Sequence, residues 1–235
     1  MSRVVVLKTG TTLPELRARR GDYEDWIVAG MGLRLDEVDV VPVYEGAEPP
    51  PPETPLGVVV TGSSAMVSER EAWSERAAGW LAAAVTAGTP VLGICYGHQL
   101  LAHALGGRVA PNPRGREIGT VAIASLADGD PLLGPLPDTS WLQVSHVESV
   151  LELPTGARRL AQSAADPHQA YRLGERAWGV QFHPEFDADV IAAYLTARRE
   201  IIREEGLDPE ALQREVRESP EGPRLLARFR ALLAG

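Results

Sequence analysis

The chain contains one cysteine, Cys95, within the segment VLGICYGHQLLAHALGG at residues 91–107. Gly93 and Gly97 flank it, and an apolar run gives way to a helical pattern at the same point. A strand that turns this tightly into a helix holds a nucleophile under strain, and side chains larger than glycine would clash there. The N-terminus of the following helix favours a thiolate. The alternative is a buried, inert cysteine, but the two glycines favour a nucleophile.

A thiol nucleophile needs a base, and His183 is the strongest candidate among the five histidines. It ends the apolar run WGVQF and is followed by Pro184 and Glu185. Side chains two residues apart in an extended segment point to the same side, so His183 and Glu185 can face one site. A carboxylate beside a histidine fixes its tautomer and stabilises the imidazolium. The alternative is a strand-end histidine beside a surface glutamate.

Three other histidines are expected to have no part in a reaction. His98 and His103 lie on the helix that follows Cys95, where exposure or helix packing is the simpler explanation. His168 lies in the polar turn ADPHQ and is predicted to be solvated.

Short apolar, β-branched runs alternate with longer helical patterns in the first half of the chain. The runs VVVL, VDVVPVY, GVVVTG and TPVLGIC are apolar throughout, which is typical of parallel strands buried on both faces. We therefore predict an α/β fold with a doubly wound, mostly parallel open sheet and helices on both faces. Ligands in such sheets bind beyond the C-terminal ends of the strands, where Cys95 falls.

The second half of the chain differs. REIGTVAIASL, SWLQVSHVESVLEL, HQAYRLG and RAWGVQFHPEF are predicted strands with a small antiparallel portion. Helix starts are predicted at Asp22, Ser68, Asp187, Asp208 and Ser219. The proline-rich EPPPPETP is too short to separate two domains. We predict a single domain over residues 1–235, with a motif-bearing core at about 4–194 and a C-terminal helical extension at about 195–235.

The net charge of −9 argues against a nucleic-acid partner, which would need clustered basic residues. A single cysteine cannot form an internal disulfide, which fits a reducing compartment. The N-terminal MSRVVVLKTG has no long apolar stretch or small-residue cleavage site, and no segment approaches the roughly 18 apolar residues of a membrane span. We therefore expect a cytoplasmic protein that acts on a small molecule, without a nucleic-acid or membrane partner.

The segments GICYGHQ and VQFHPE, in this order, resemble the class I glutamine amidotransferases, whose catalytic triad is Cys-His-Glu. The resemblance runs from about Val4 to about Tyr194, and the two motifs together are highly specific. GDYEDW and TGSSAMVSE are similar to GMP-synthetase-type glutaminase domains that occur as standalone chains. The resemblance implies a flavodoxin-like α/β sheet and an enzyme that hydrolyses the amide of glutamine.

The resemblance also implies residue roles. Cys95 attacks the side-chain amide of glutamine, and a γ-glutamyl thioester forms as ammonia leaves. Water then releases glutamate, while His183 moves the proton and Glu185 orients His183. Backbone N–H groups stabilise the oxyanion. The donors implied are those of Tyr96, Gly62 and Ser63.

Contacts to the amino-acid end of the substrate are implied for Gln99, Ser145 and His146. The family usually has Ser-His-Gly-Asp where this chain has Ser-His-Val147-Glu148. Loss of the glycine changes the backbone freedom beside the substrate's α-carbon. This departure keeps substrates other than glutamine under consideration.

Three functions remain open at this point. The first is a glutaminase subunit or standalone amidotransferase, and the second is a γ-glutamyl peptidase or hydrolase acting on glutathione-like or γ-glutamylamine compounds. The third is a non-catalytic binding or thiol-sensor protein. The sequence contains neither a GxxxxGK(S/T) phosphate loop nor the SGGxDS-type loop of the family's synthetase domains. We expect no metal and no cofactor, and an ATP-dependent synthetase as a candidate partner that consumes the ammonia.

Overall fold

The computed structural model describes residues 2–233. The strands are β1 Val4–Lys8, β2 Val38–Pro42, β3 Gly57–Val60, β4 Val91–Ile94, β5 Arg108–Pro111, β6 Glu117–Ser125, β7 Thr139–His146, β8 Glu148–Glu152, β9 Arg158–Gln162, β10 Ala170–Leu173 and β11 Ala177–Val180. The helices are α1 Pro14–Arg20, α2 Tyr23–Gly30, α3 Ala72–Thr86, α4 Tyr96–Ala104, α5 Ala188–Ala197, α6 Arg199–Glu204, α7 Pro209–Glu215 and α8 Glu221–Leu233.

One sheet of nine strands organises the molecule, in the order β2-β1-β3-β4-β11-β10-β9-β6-β7. The strands from β2 to β11 in this order are parallel, whereas those from β11 to β7 pair antiparallel. β5 and β8 form a separate two-stranded antiparallel sheet. The predicted α/β fold with a parallel open sheet is confirmed, and so is antiparallel pairing in the second half.

The parallel strands are buried on both faces. Val58 and Val60 of β3 belong to the core on the side of α3 and α4, whereas Val59 belongs to the core beneath α2, α5 and α8. All three valines are 0% exposed. Because each successive side chain meets a different helical layer, the apolar runs show no polar alternation.

Several helices begin at the predicted capping residues. Asp22 caps α2 through a capping box with Asp25. The side chain of Asp187 accepts a hydrogen bond from Val190 N at 2.9 Å, and Asp208 accepts from Ala211 N at 2.9 Å. These carboxylates satisfy N–H groups that have no acceptor within their own helices.

The helix start predicted at Ser68 is wrong. Residues Val67–Glu69 form a 3-10 turn, and Arg70 follows in the left-handed conformation with φ 52°. An α-helix cannot run through such a residue, so α3 begins only at Ala72.

The segment SWLQVSHVESVLEL does not form one strand, as predicted, but two. β7 ends at His146, β8 begins at Glu148, and the two strands belong to different sheets. Val147 is the single residue between them. The chain therefore changes sheets within the motif that resembles the family's substrate-binding segment.

The C-terminal helix α8 packs into the main core. Leu225, Leu226 and Phe229 are buried in the same cluster as β-strand residues such as Val59. The division into a core at about 4–194 and an extension at about 195–235 stays a prediction. No helix within residues 2–233 is long and apolar enough to cross a membrane.

Phe229→Ala tests whether α8 is part of the stability of the whole molecule. The ring is fully buried and packs edge-to-face on Trp178, with ring centroids 6.3 Å apart. We expect the free energy of unfolding to fall by about 3–5 kcal/mol, measured by denaturant titration. In the same helix, Arg224→Ala removes an exposed side chain and should change it by less than about 1 kcal/mol. Equal effects of the two changes would contradict this role of α8.

Candidate active site

Cys95 is the single residue between β4 and α4. Its backbone has φ 51° and ψ −102°, and within residues 2–233 Arg70 is the other non-glycine residue with positive φ. A bulky residue holds such a conformation only where its surroundings enforce it. Cys95 therefore occupies the strained strand-to-helix turn expected of a nucleophile elbow.

Steric crowding requires the two glycines beside this turn. A Cβ atom on Gly93 would lie 2.4 Å from the carbonyl oxygen of Gly97, and one on Gly97 would lie 2.5 Å from that of Val60. Neither glycine has a positive φ. The clash predicted from the sequence is confirmed, and its cause is close backbone approach.

Two neighbouring parallel strands bring Cys95 and His183 together. β4 pairs with β11 so that Ile94 lies opposite Val180, and the two strands end at the same edge of the sheet. Cys95 follows β4 directly, and His183 lies three residues beyond β11. The backbone N–H of His183 donates to the carbonyl of Gln143 at 2.8 Å, which holds this segment against β7.

His183 and Glu185 form a buried pair. His183 Nδ1 lies 2.7 Å from Glu185 Oε1. A carboxylate accepts, so Nδ1 carries the hydrogen and Nε2 is left to interact with the thiol. The ring and Cys95 lie against the same point of the backbone, because a Cβ atom on Gly62 would be 3.0 Å from His183 Cε1 and 3.9 Å from Cys95 Cβ. The three predicted triad residues are thus placed together.

The charges of this group favour a thiolate facing an imidazolium. Burial is the largest single effect on Cys95 and raises its pKa, but the interaction with His183 and the charge of His146 together outweigh it, so the net pKa falls below the usual 9.0. Burial alone would lower the pKa of His183, but Glu185 and the Cys95 thiolate raise it to about 10. Each member of the pair stabilises the charged form of the other.

Aromatic rings fix the plane of His183. Phe186 stacks on the imidazole with ring centroids 3.9 Å apart, and Tyr23 lies on a parallel plane at 6.4 Å. The Tyr23 hydroxyl is 2.7 Å from the Tyr194 hydroxyl, which is 2.9 Å from Thr12 Oγ1. Sequence reasoning missed these residues, and the available signal was the position of Phe186 directly after HPE.

Gly62 lies against both reacting side chains. A Cβ atom at this position would be 3.0 Å from His183 Cε1 and 3.9 Å from Cys95 Cβ. Ser63 lines the cavity above Cys95. The N–H of Tyr96 is the first of α4 and has no acceptor within the helix. The structure brings these residues together, and their role as oxyanion donors stays a prediction.

A cavity of about 180 Å³ opens onto Cys95. Among its walls are six residues singled out from the sequence: Ser63, Cys95, Tyr96, Gln99, Ser145 and His146. Gly62 lies beside His183, and Glu185 lies behind it. Neither residue lines the cavity.

The residues predicted to contact substrate already contact other groups of the protein. Gln99 Nε2 donates to the carbonyl of Glu148 at 2.8 Å and to Gln181 Oε1 at 2.9 Å, so the remaining group of its amide is Oε1. The carbonyl oxygen of Ser145 lies 3.9 Å from Cys95 Sγ. His146 is bonded on both ring nitrogens. Their contacts to substrate stay predictions.

The backbone at Val147 does not require a glycine. Val147 has no positive φ, so a β-branched residue fits the turn between β7 and β8 without strain. Its carbonyl accepts a hydrogen bond from Asn112 N at 2.8 Å. What changes relative to the usual family motif is therefore the side chain that faces the cavity.

The remaining histidines lie outside this group. His98 is buried beside Tyr171, with ring centroids 4.9 Å apart, and His103 Nε2 lies 2.9 Å from Glu75 Oε1. The prediction that His168 is solvated is wrong, because it is half-buried and its Nδ1 donates to the Val150 carbonyl at 2.6 Å. No group of three or more potential metal ligands is assembled within residues 2–233.

A family model described as glutamine amidotransferase class-I matches residues 21–198. The chain belongs to this family. The matched residues include Cys95, His183 and Glu185, whose assignment as the family's Cys-His-Glu triad stays a prediction.

The curated relatives include glutamine-hydrolysing GMP synthases. That of Thermomicrobium roseum is 42% identical over 132 residues, which cover 56% of this chain and 24% of the relative. That of Helicobacter pylori G27 is 31% identical over 184 residues, which cover 77% of this chain and 32% of the relative. The chain thus spans a minor part of the length of these amidotransferase relatives.

Solved structures share the fold. A glutamine amidotransferase from Thermotoga maritima superposes with a TM-score of 0.75 at 22% identity, over 99% of this chain and 97% of that one. One from Methylobacillus flagellatus gives a TM-score of 0.77 at 21% identity, over 100% of this chain and 94% of that one.

Alkylation of Cys95 by iodoacetamide tests the ion pair, because the chain has no other cysteine. The wild-type rate should rise with pH through an inflection below 9.0. In His183→Gln, burial remains while the larger of the two compensating positive charges is lost, so the inflection should move to higher pH than in wild type. At pH values below the inflection, each pH unit by which the inflection rises lowers the alkylation rate about tenfold. His103→Gln is the control, and an unchanged profile in His183→Gln would refute the pair.

Proposed function

We propose that this protein hydrolyses the side-chain amide of glutamine to glutamate and ammonia. The observation that carries the proposal is the strained Cys95 with its buried His183–Glu185 partner. Membership of the family supports the same reaction. An intact nucleophile, base and orienting carboxylate argue against the non-catalytic alternative.

The reaction follows from the positions of these groups. The Cys95 thiolate attacks the amide carbon, and the carbonyl oxygen becomes an oxyanion beside the N–H groups of Tyr96 and of Gly62 or Ser63. His183 gives its proton to the departing ammonia, which leaves a γ-glutamyl thioester. His183 then takes a proton from water, which attacks the thioester and releases glutamate.

The cavity of about 180 Å³ that opens onto Cys95 is compatible with a single amino acid such as glutamine. The backbone of Val147 is not strained, so the loss of the family's usual glycine gives no conformational reason to expect a substrate other than glutamine.

Ammonia release from glutamine measures the proposed activity. Wild type should release ammonia, whereas Cys95→Ala should be slower by at least about 10³-fold because the nucleophile is absent. His103→Gln should retain the activity. A γ-glutamyl dipeptide, assayed in parallel, should give a lower kcat/KM than glutamine. A higher value for the dipeptide would establish the peptidase alternative instead.

A further part of the proposal concerns the ammonia. We propose that an ATP-dependent synthetase consumes it, since the relatives are glutamine-hydrolysing GMP synthases of which this chain covers a minor part. The reactive thiol of Cys95 also suits a reducing, cytoplasmic setting.

Tagged chain, purified from its own cells after mild cross-linking, should carry such a synthetase. The expected result is one stoichiometric partner with an ATP-binding synthetase domain, identified by mass spectrometry. An unrelated tagged protein from the same cells serves as the control. Recovery of the chain alone would contradict the proposed partnership.

A further inference from the structure

His146 is a buried histidine beside the cavity, and both of its ring nitrogens are bonded. It is the last residue of β7, and its side chain is 1% exposed. Nδ1 lies 2.9 Å from the carbonyl oxygen of Glu148, and Nε2 lies 3.0 Å from Oε2 of Glu117. The β6–β7 pairing places Glu117 directly opposite His146.

These partners determine the protonation of the ring. A backbone carbonyl only accepts hydrogen bonds, and so does an ionised carboxylate. Both nitrogens must therefore carry hydrogen, which makes His146 an imidazolium. Glu117 Oε2 also accepts a hydrogen bond from Gln169 Nε2 at 2.6 Å, so this oxygen acts as an acceptor toward a second donor.

The surroundings of His146 favour its positive charge. Burial lowers the pKa of the ring, but the hydrogen bond and charge of Glu117 raise it by more, so the net pKa is raised. The titratable groups whose charges act on the ring are Glu117 on β6, which it contacts directly, Asp166 in the turn before β10, and Cys95 and His98 at the start of α4. His98 adds no opposing charge, since burial lowers its pKa to about 3.

His146 is also tied to the wall of the active site. The preceding Ser145 carbonyl is 3.9 Å from Cys95 Sγ. The Glu148 carbonyl that accepts from His146 also accepts from Gln99 Nε2 at 2.8 Å. The positive charge of His146 is among the causes that lower the pKa of Cys95. The bonded ring of His146 thus belongs to the wall formed by residues 145–148, which lines the same cavity as Cys95.

We propose that His146 is a permanently protonated positioning residue, which holds the 145–148 wall against Cys95 and supplies a second positive charge, besides that of His183, for the thiolate. The inference rests on the proposed function in that Cys95 is the nucleophile. It concerns the charge of the thiol before any substrate binds.

Iodoacetamide alkylation of Cys95 across pH tests this role without a substrate. His146→Gln keeps an amide donor but removes the charge, so the inflection should move up by about one pH unit. The rate below the inflection should then fall about tenfold. His146→Lys retains a charge opposite Glu117 and should keep the inflection close to that of wild type. His103→Gln, on the same helix as His98, should show no shift.

Two results would overturn the proposal. One is an unshifted inflection in folded His146→Gln, and the other is an equal shift in His146→Gln and His146→Lys, which would make the effect structural. If neither variant folds, nitrogen-15 NMR of the wild-type histidines decides, because a neutral His146 at pH 7 is incompatible with the inference. Failure to hydrolyse glutamine together with a shifted profile would refute the proposed function and leave this inference standing.

Discussion

The left-handed backbone of Cys95 is the constraint on which the site depends. A non-glycine residue in such a conformation costs of order 1–3 kcal/mol. The surrounding structure enforces it, since the N–H of Cys95 donates to Val180 O at 2.8 Å and its carbonyl accepts from Gln99 N at 3.1 Å. The strand and the helix are thus both anchored at one residue. Gly93 and Gly97 allow the backbones to approach closely enough for that turn.

Two histidine–carboxylate pairs act on the sulfur of Cys95. The thiolate is buried, so it needs nearby positive charge to remain ionised. His183 provides it and is itself held by Glu185 and by the stacked ring of Phe186. The His146–Glu117 pair repeats the same order of charges on another wall. Burial and the charge of Glu185 raise the pKa of Cys95, and the positive charges of His183 and His146 oppose them.

The change of sheets at Val147 shapes the substrate side of the cavity. β7 belongs to the large sheet and β8 to the small one, so the intervening segment bends past Cys95. Gln99 bonds the carbonyl of Glu148 and fixes that bend from α4. The chain belongs to the class-I glutamine amidotransferases, and Val147 replaces the family's usual glycine in one wall of the cavity. Val147 lines the same cavity as Cys95.

The sequence by itself determined what depends on neighbours along the chain. Glycine spacing predicted the elbow, uniform apolar runs predicted buried parallel strands, and acidic caps predicted helix starts, because each follows from local sterics or side-chain alternation. Only the tertiary structure decided which residues meet. The β4–β11 pairing joins Cys95 to His183, and the β6–β7 register joins Glu117 to His146. Such contacts follow from strand order and register, which local patterns do not specify. For the same reason Phe186 went unrecognised, whereas Ser68 failed as a cap because the left-handed Arg70 interrupts the helix.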